Sequence, residues 1–349
     1  MSAHSDRIVV TGAAGMLGSH LVTRLLADGH RVHGVDLRPA PVPAQPRLSH
    51  TCCDVRDREA LSGTFADAYA VVHCAAALPS YPPETIRSVI VDGTGAVLSA
   101  AARAGVPRVV HVSSTAVYGL PSLVPTPEDH PREPVDTYGR AKSTAEELAE
   151  KHRADGHCVT IVRPKTFLGP GRMGLFAMLF EWAHEGRSFP VLGRGDARIQ
   201  MLAIEDLVDA LVAVLGAAPD AANDTYNVAA AEFGTLREDF QAVLDEAGYG
   251  KRVVSLPARP ALLGLLLLGR TRLSPVYGRL LRKLLADSYV SIDKASARLG
   301  FRPRLSNRDA ILRTFAWWRA NAGSAGAGSG RTSREPWRQG ALAAAKIFF

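Results

Sequence analysis

Cysteine is scarce in this chain. Only Cys52, Cys53, Cys74 and Cys158 occur in 349 residues, and none belongs to a CxxC pair with a matching second pair. That argues against a disulfide framework and against a thiolate zinc site, and no metal is expected. It fits a reducing compartment, so a cytoplasmic protein is expected. Long apolar runs are lacking too. The most apolar stretch, ALLGLLLLG at 261–269, is roughly half of what a bilayer span needs and reads as a buried helix, with an interfacial segment as the alternative. The N-terminal MSAHSDRIVVTGAAG has no basic segment leading into an apolar one, so no signal peptide is expected. Basic residues interleaved with aromatics are missing, which excludes the common nucleic-acid modules.

What charge there is lies unevenly. The formal net charge is +7, and residues 270–304 alone hold nine Lys/Arg against Asp287 and Asp293. A basic C-terminal part suits an anionic substrate or a membrane surface, although a solvated helix face is the simpler account.

Hydrophobic residues make up 47% of the chain, enough for one large core and a smaller second lobe. From residue 7 to 163 short β-branched runs (RIVVTG, RVHGVD, AVVHCAA, PRVVHVSS, CVTIVRP) alternate with helix-compatible stretches such as GMLGSHLVTRLLADG and AVLSAAARAG. Strict alternation predicts an α/β fold, a Rossmann-type doubly wound parallel sheet with helices on both faces. The runs are apolar throughout, as strands buried on both sides must be. After Pro164 the rhythm breaks into longer loops, helices such as IEDLVDALVAVLGAA, and one more strand-like piece, TYNVA. We read residues 1–163 as mainly the nucleotide-binding domain and 164–321 as mainly a smaller substrate-binding lobe. Residues 322–349 start as a Gly/Ser/Ala linker and read as a disordered tail.

The first strand turns into its helix through VTGAAGMLGSHL, with Gly12, Gly15 and Gly18 at the turn. Glycine there lets backbone approach a pyrophosphate, and the helix N-terminus offers N–H groups and a positive dipole end. Asp36 closes the second strand eighteen residues beyond Gly18. A carboxylate there accepts from ribose hydroxyls and repels a 2′-phosphate, so NAD is expected over NADP; Arg38 would soften that preference. Asp54 and Val55, in CDV, are placed to reach the adenine, with a loop cap as the alternative for Asp54. Cys74, Ala75 and Ala76, in HCAAA, leave room for cofactor, and His73 reads as a packed core histidine.

Tyr138 and Lys142 in DTYGRAKSTAEELAEKH are i and i+4 on one helix face. A free tyrosine, with pKa about 10, is a poor base at neutral pH; bringing it to about 7 takes roughly 4 kcal/mol of preferential phenolate stabilisation. A nearby ammonium and a positive nicotinamide ring supply that in a dry site. Tyr138 then serves as base on a carbinol or acid on a ketone, and Ser114, in VSSTAVYG, holds the substrate oxygen.

These motifs together resemble the extended short-chain dehydrogenases/reductases, the NAD-dependent epimerase/dehydratase group that includes UDP-glucose 4-epimerase-like and 3β-hydroxysteroid dehydrogenase-like enzymes. The resemblance spans about residues 7 to 320, through TGAAGMLG, VDL, CDV, HCAAA, SSTAVYG, YGRAK, RPKTFLGPG, GRGDARIQMLAIEDLVDA, YNVA and SARLGFRP. It implies catalytic roles for Ser114, Tyr138 and Lys142. It also implies cofactor contacts for Met16, Leu17 and Pro164 besides the residues above, and substrate contacts for Ser114, Thr115, Tyr138, Thr166 and Arg198. Two positions depart from the pattern. Ile90 stands where many relatives have an Asn that supports the catalytic helix or a bound water. Thr166 stands where nucleotide-sugar enzymes often carry an Asn near the substrate's diphosphate. Arg198 matches an arginine that clamps that diphosphate, the alternative being a surface ion pair with Glu205 or Asp206. A 4,6-dehydratase is disfavoured, because Thr115 and Ala116 follow Ser114 where such enzymes carry Asp-Glu.

The leading expectation is an NAD-dependent oxidoreductase or epimerase acting on a secondary alcohol or ketone of a sugar-like small molecule. The alternatives are a 3β-hydroxysteroid- or isoprenoid-type dehydrogenase or ketoreductase, and a non-catalytic NAD sensor. The partners expected are that substrate and, as the one self-association entertained, a second copy in a homodimer, without nucleic acid or a transmembrane segment.

Overall fold

Five β-branched runs become five parallel strands. In the computed structural model, which describes residues 7–171, 176–258, 285–321 and Lys346, they are β1 (Arg7–Thr11), β2 (Arg31–Asp36), β4 (Ala70–His73), β5 (Arg108–Val112) and β6 (Val159–Pro164). With β3 (Leu48–Cys52) and β10 (Thr225–Val228) they form a seven-stranded sheet in the order β10-β6-β5-β4-β1-β2-β3. All of its pairs are parallel. The direction of strand addition reverses between β1 and β4, and a crevice opens there at the carboxyl ends, where such sheets bind ligands.

Helices cover both faces. On one, α1 (Met16–Ala27) and α7 (Ile204–Gly216) share a core with the sheet, α1 contributing Met16, Leu17, Leu21, Val22, Leu25 and Leu26. A twelve-residue helix is marginal alone in water, so burial of this stripe is what holds it. Arg108 fastens the far end of α7 to the sheet, its guanidinium donating to the carbonyls of Val214, Leu215 and Ala217 at 2.6–2.8 Å. A cation there also meets the negative end of the helix dipole. On the other face lie α2 (Arg58–Ser62), α3 (Pro83–Arg87), α4 (Gly93–Arg103) and α5 (Thr137–Ala154). A π-helical turn, Ser88–Asp92, joins α3 to α4. The Thr94 hydroxyl donates to the Ile90 carbonyl at 2.5 Å, satisfying an acceptor inside that widened turn.

A second core gathers around Phe180, Trp182, Phe189, Phe240, Phe315 and Trp318. It is built from α6 (Phe176–His184), β8 (Phe189–Leu192), α9 (Leu236–Ala247), β11 (Val253–Leu256) and α11 (Asn307–Asn321), with β7 (Phe167–Leu168) and β9 (Leu202–Ala203) beneath. The chain does not pass into this unit by a single cut at residue 164. TYNVA, expected in the second lobe, is β10 at the edge of the main sheet, and α7 and α10 (Asp293–Leu299) pack on the first core. Their apolar stripes match a sheet face that residues 7–163 leave uncovered. The apolar stretch at 261–269, the beginning of the basic segment and, save Lys346, the tail fall outside the described residues. Among the described residues no helix is long and apolar enough to cross a membrane.

Candidate active site

The glycine loop closes on itself and on β4. Gly12 has φ +70°, and a Cβ there would stand 2.7 Å from the Ala75 nitrogen; one at Gly18 would stand 2.1 Å from the Gly12 carbonyl oxygen. A side chain at Gly12 would push the loop off the segment after β4, and one at Gly18 would push α1 off the loop. The α1 N-terminus therefore opens beside the end of β1, with Met16 and Leu17 buried behind it. Asp36 stands across the crevice edge, accepting from Ala14 N at 3.0 Å and from Arg38 N at 3.3 Å. Cys74 is tied to β1 by its N–H to the Thr11 carbonyl, and partly exposed Cys74 and Ala75 with exposed Ala76 form the opposite wall. Val55 is buried against Gly93. Asp54 is held by its neighbour: Arg56 grips both carboxylate oxygens at 2.6–2.9 Å, and this hydrogen bonding keeps the acid below its usual pKa. The wall fits a dinucleotide: backbone close enough to cradle a pyrophosphate, a carboxylate at ribose position, and small residues opposite.

Ser114 follows β5 by two residues and caps the 3-10 turn Thr115–Tyr118, its Oγ accepting from Ala116 N at 3.1 Å. The hydroxyl hydrogen stays available to another acceptor. Thr115 Oγ1 donates to the Pro164 carbonyl at 3.4 Å. Asp136 caps α5 through Gly139 N, and Gly139 lets α5 descend onto that turn: a Cβ there would lie 2.7 Å from the Ala116 carbonyl oxygen. This close approach brings Tyr138 toward the strand end carrying Ser114. Tyr138 is half-buried against the cluster of Ala77, Ile86, Ile90, Ala141 and Ala145. Ile90 serves in that cluster as apolar packing.

Lys142 is 3% exposed, and its Nζ donates to the Val112 carbonyl at 2.7 Å. Burial pulls its pKa down to about 8, against the raising influence of Cys74 and Glu146. One turn farther along α5, Glu146 is fully buried. It accepts from Ser113 Oγ at 2.5 Å, from Arg163 Nη2 at 2.7 Å and Nε at 2.9 Å, and from Arg132 Nη1 at 3.1 Å. Arg163 also donates to the Tyr118 hydroxyl at 2.7 Å, which in turn donates to Asn227. Burial acts to lower the Arg163 pKa, and its bonds to Glu146 outweigh that and raise it. Sequence reasoning missed this network. Its signal was present: Tyr138, Lys142 and Glu146 form an i, i+4, i+8 stripe, and Arg163 is a charge inside a strand otherwise apolar.

His73 is the packed core histidine expected. Thr94 spends its only hydroxyl hydrogen on Ile90, so it accepts from His73 Nε2 at 3.1 Å, leaving Nδ1 to accept from Thr11 Oγ1 at 2.7 Å. That assigns the tautomer by hydrogen bonding alone.

Thr166 is exposed, and its carbonyl accepts from Leu202 N. Arg198 is exposed and stacked, with its guanidinium 4.8 Å from the Phe233 ring centre and 5.3 Å from that of Tyr289. The ion pair weighed for it does not form. Asp206 is buried and accepts from Arg304 N and Leu305 N, while Glu205 faces Arg313 at 3.9 Å. Buried Lys165, which the sequence reading passed over, donates to Ser288 Oγ at 2.8 Å, and Ser288 N donates to the Arg198 carbonyl. Thr166 and Arg198 thus border one region.

The model of the NAD dependent epimerase/dehydratase family matches residues 8–229. The chain belongs to this family. It is 36% identical over 344 residues to the uncharacterized protein y4nG of Sinorhizobium fredii, covering 96% of this chain and 84% of that one. It is 28% identical over 343 residues to the 3 beta-hydroxysteroid dehydrogenase/Delta 5-->4-isomerase of Mycobacterium tuberculosis, covering 91% and 92%. Identity is 32% over 263 residues with the UDP-glucose 4-epimerase of Mycolicibacterium smegmatis, covering 69% and 83%. Among solved structures it resembles DesIV, the dTDP-glucose 4,6-dehydratase of Streptomyces venezuelae with NAD and TYD bound. The TM-score is 0.73, with 28% identity, 91% of this chain and 98% of that one covered. This epimerase/dehydratase family member is therefore an enzyme of NAD-dependent chemistry.

Its buried histidines make it acid-sensitive. Burial, then Lys142, lowers the His73 pKa to about 3 from 6.5, and burial, then Arg7 and His50, lowers that of His33 to about 4. The unfolded chain takes up these protons first as pH falls, so their contribution is complete above about 6.5 and is lost toward pH 3. Urea denaturation followed from pH 7 to pH 4 should show a steadily falling midpoint; a flat profile would contradict the assignment.

Proposed function

We propose that the chain oxidises or epimerises a secondary alcohol, or reduces the matching ketone, on a sugar-like substrate, with Ser114, Tyr138 and Lys142 as catalytic residues. The observation that carries this reading is the seat of Lys142. A buried ammonium is fixed to the last carbonyl of β5, one helical turn from Tyr138 and beside the strand end that carries Ser114. Bound NAD would supply the hydride acceptor and donor. Tyr138 moves the proton at the substrate oxygen, and Lys142 lowers the cost of its phenolate. Ser114, whose lone pair is occupied by Ala116 N, donates its O–H to that same oxygen. Gly12, Gly15, Met16, Leu17 and Gly18 cradle the pyrophosphate. Asp36 holds the ribose and disfavours NADP, Asp54 and Val55 border the adenine, and Cys74, Ala75, Ala76 and Pro164 flank the rest of the cofactor.

We assign the substrate side mainly to the second core and the segments bordering it, with Thr115, Thr166 and Arg198 as contacts. An exposed cation stacked on two aromatic rings suits a substrate with an anionic part, which favours a nucleotide-sugar over a neutral molecule. A steroid-type substrate is the second reading, supported by Thr166 in place of an Asn and by the near full-length similarity to the mycobacterial hydroxysteroid enzyme. Mass spectrometry of product and cofactor after incubation with nucleotide sugars, free glycosides and hydroxysteroids separates them. Stoichiometric NADH accumulation would exclude simple epimerisation.

Tyr138→Phe should lower turnover by about 10²-fold or more while NAD affinity stays within a few-fold; retained turnover would refute the site. Asp36→Ala should narrow or reverse a preference for NAD over NADP in competitive fluorescence binding, and a wild-type preference for NADP would contradict the role given to Asp36. With a diphosphate-bearing substrate Arg198→Ala should raise KM strongly with a smaller effect on kcat, and with a neutral glycoside or sterol it should be nearly silent.

A further inference from the structure

His111 lies on β5 beside Val112, the residue whose carbonyl holds Lys142. Its ring is 1% exposed, and among the described residues no group is within hydrogen-bond reach of Nδ1 or Nε2. Thr11, His73 and His111 stand in register across β1, β4 and β5, on the sheet face that α4 and α5 cover. The equivalent row one step earlier is Val9, Val71 and Val109. A valine at 111 would leave no polar atom unpaired, whereas an imidazole with both nitrogens unpaired weakens the fold. His73 cannot relieve it. Both His73 nitrogens are committed to Thr11 and Thr94, and the two ring centres are 5.6 Å apart.

The Lys142 ammonium sits on the carbonyl next to His111, with Tyr138 one turn before it and Glu146 one turn after it on α5, and its charge interacts with His73 on β4, Cys74 after it and His111. Glu146 is taken up by Ser113, Arg163 and Arg132, and burial pushes the Cys74 thiol up to about 12, so it stays protonated. Of the three N–H bonds on Lys142, one goes to Val112. Burial, and then the Lys142 charge, keep His111 neutral, so its ring retains a lone pair able to accept.

We propose that His111 is a positioning residue: its neutral ring, which the rest of the fold leaves unclaimed, is the interior acceptor for the Lys142 ammonium. No bond joins the two in this structure, so the contact requires the lysine to turn on its seat at Val112 or one water to bridge them. The contact favours the charged lysine, and with it the charge that supports Tyr138; this role rests on the Ser114, Tyr138 and Lys142 reading. In this chain the polar support behind the catalytic helix thus comes from a strand histidine, while Ile90 fills its side of the helix with apolar packing.

The test is the titration of the lysine side-chain ¹⁵Nζ of Lys142 by NMR in the full-length protein. The wild-type midpoint is expected near 8. His111→Val should lower it by about one unit, tenfold in the deprotonation equilibrium. His111→Gln, which keeps an acceptor, should restore most of that shift. An unchanged midpoint in His111→Val would overturn the proposal, as would failure of Gln to rescue a shifted one. Should the valine variant not fold, the wild-type ring decides. One His111 ¹⁵N resonance should move as pH crosses the Lys142 midpoint, and a ring that does not respond overturns the proposal. Neither readout depends on turnover, so their failure is separable from failure of Tyr138→Phe to abolish activity.

Discussion

Everything at the site hangs on a buried carboxylate. Glu146 fixes α5 against the ends of β5 and β6 through Ser113 and Arg163, and it is from α5 that Tyr138 and Lys142 project. A buried ion pair of this kind adds little net stability over an apolar pair, but removing one partner typically costs about 3–5 kcal/mol because the other charge is left uncompensated. That asymmetry makes the helix position all-or-none. With Glu146 satisfied four ways, α5 has one seat on the sheet, and that seat fixes where Tyr138 and Lys142 stand.

The same constraint explains the glycines around it. Gly139 lets α5 close onto the turn after Ser114, Gly12 lets the glycine loop close onto the segment after β4, and Gly18 lets α1 close onto that loop. The two walls of the crevice are thus set by backbone contacting backbone. Such contacts are stiff, and a site that must place a proton donor, a hydride path and a substrate carbon within a fraction of an ångström depends on stiffness more than on additional contact area.

The interleaving of the chain has a similar origin. The main sheet needs cover on the face carrying α1, and α7 supplies it from beyond residue 200, tied down by Arg108. β10 then lines the β6 edge, its carboxyl end on the same side of the sheet as those of the other strands. The segment that crosses between the two cores, Lys165 to Leu168, is twice bonded, by Lys165 to Ser288 and by Thr166 to Leu202. Lys165 and Thr166 are consequently held by bonds to segments far along the chain.

Much of this was readable from residues alone. Continuous β-branched apolar runs and a glycine turn are local signals, since each depends on neighbours within a few positions, and they determined five strands of the main sheet, the loop at Gly12, Gly15 and Gly18, and the shared helix face of Tyr138 and Lys142. The placement of TYNVA in the main sheet, the stacking of Arg198 on Phe233 and Tyr289, the clasp of Arg56 on Asp54 and the hydrogen-bonding of His73 depended on which distant segments meet. Glu146 and Arg163 show the boundary best. Sequence gives an acid on a helix and a base in a strand, each apparently ill-placed, and only docking of that helix on that strand turns two costly burials into one satisfied pair, because desolvation is a property of the assembled interior and of no residue by itself.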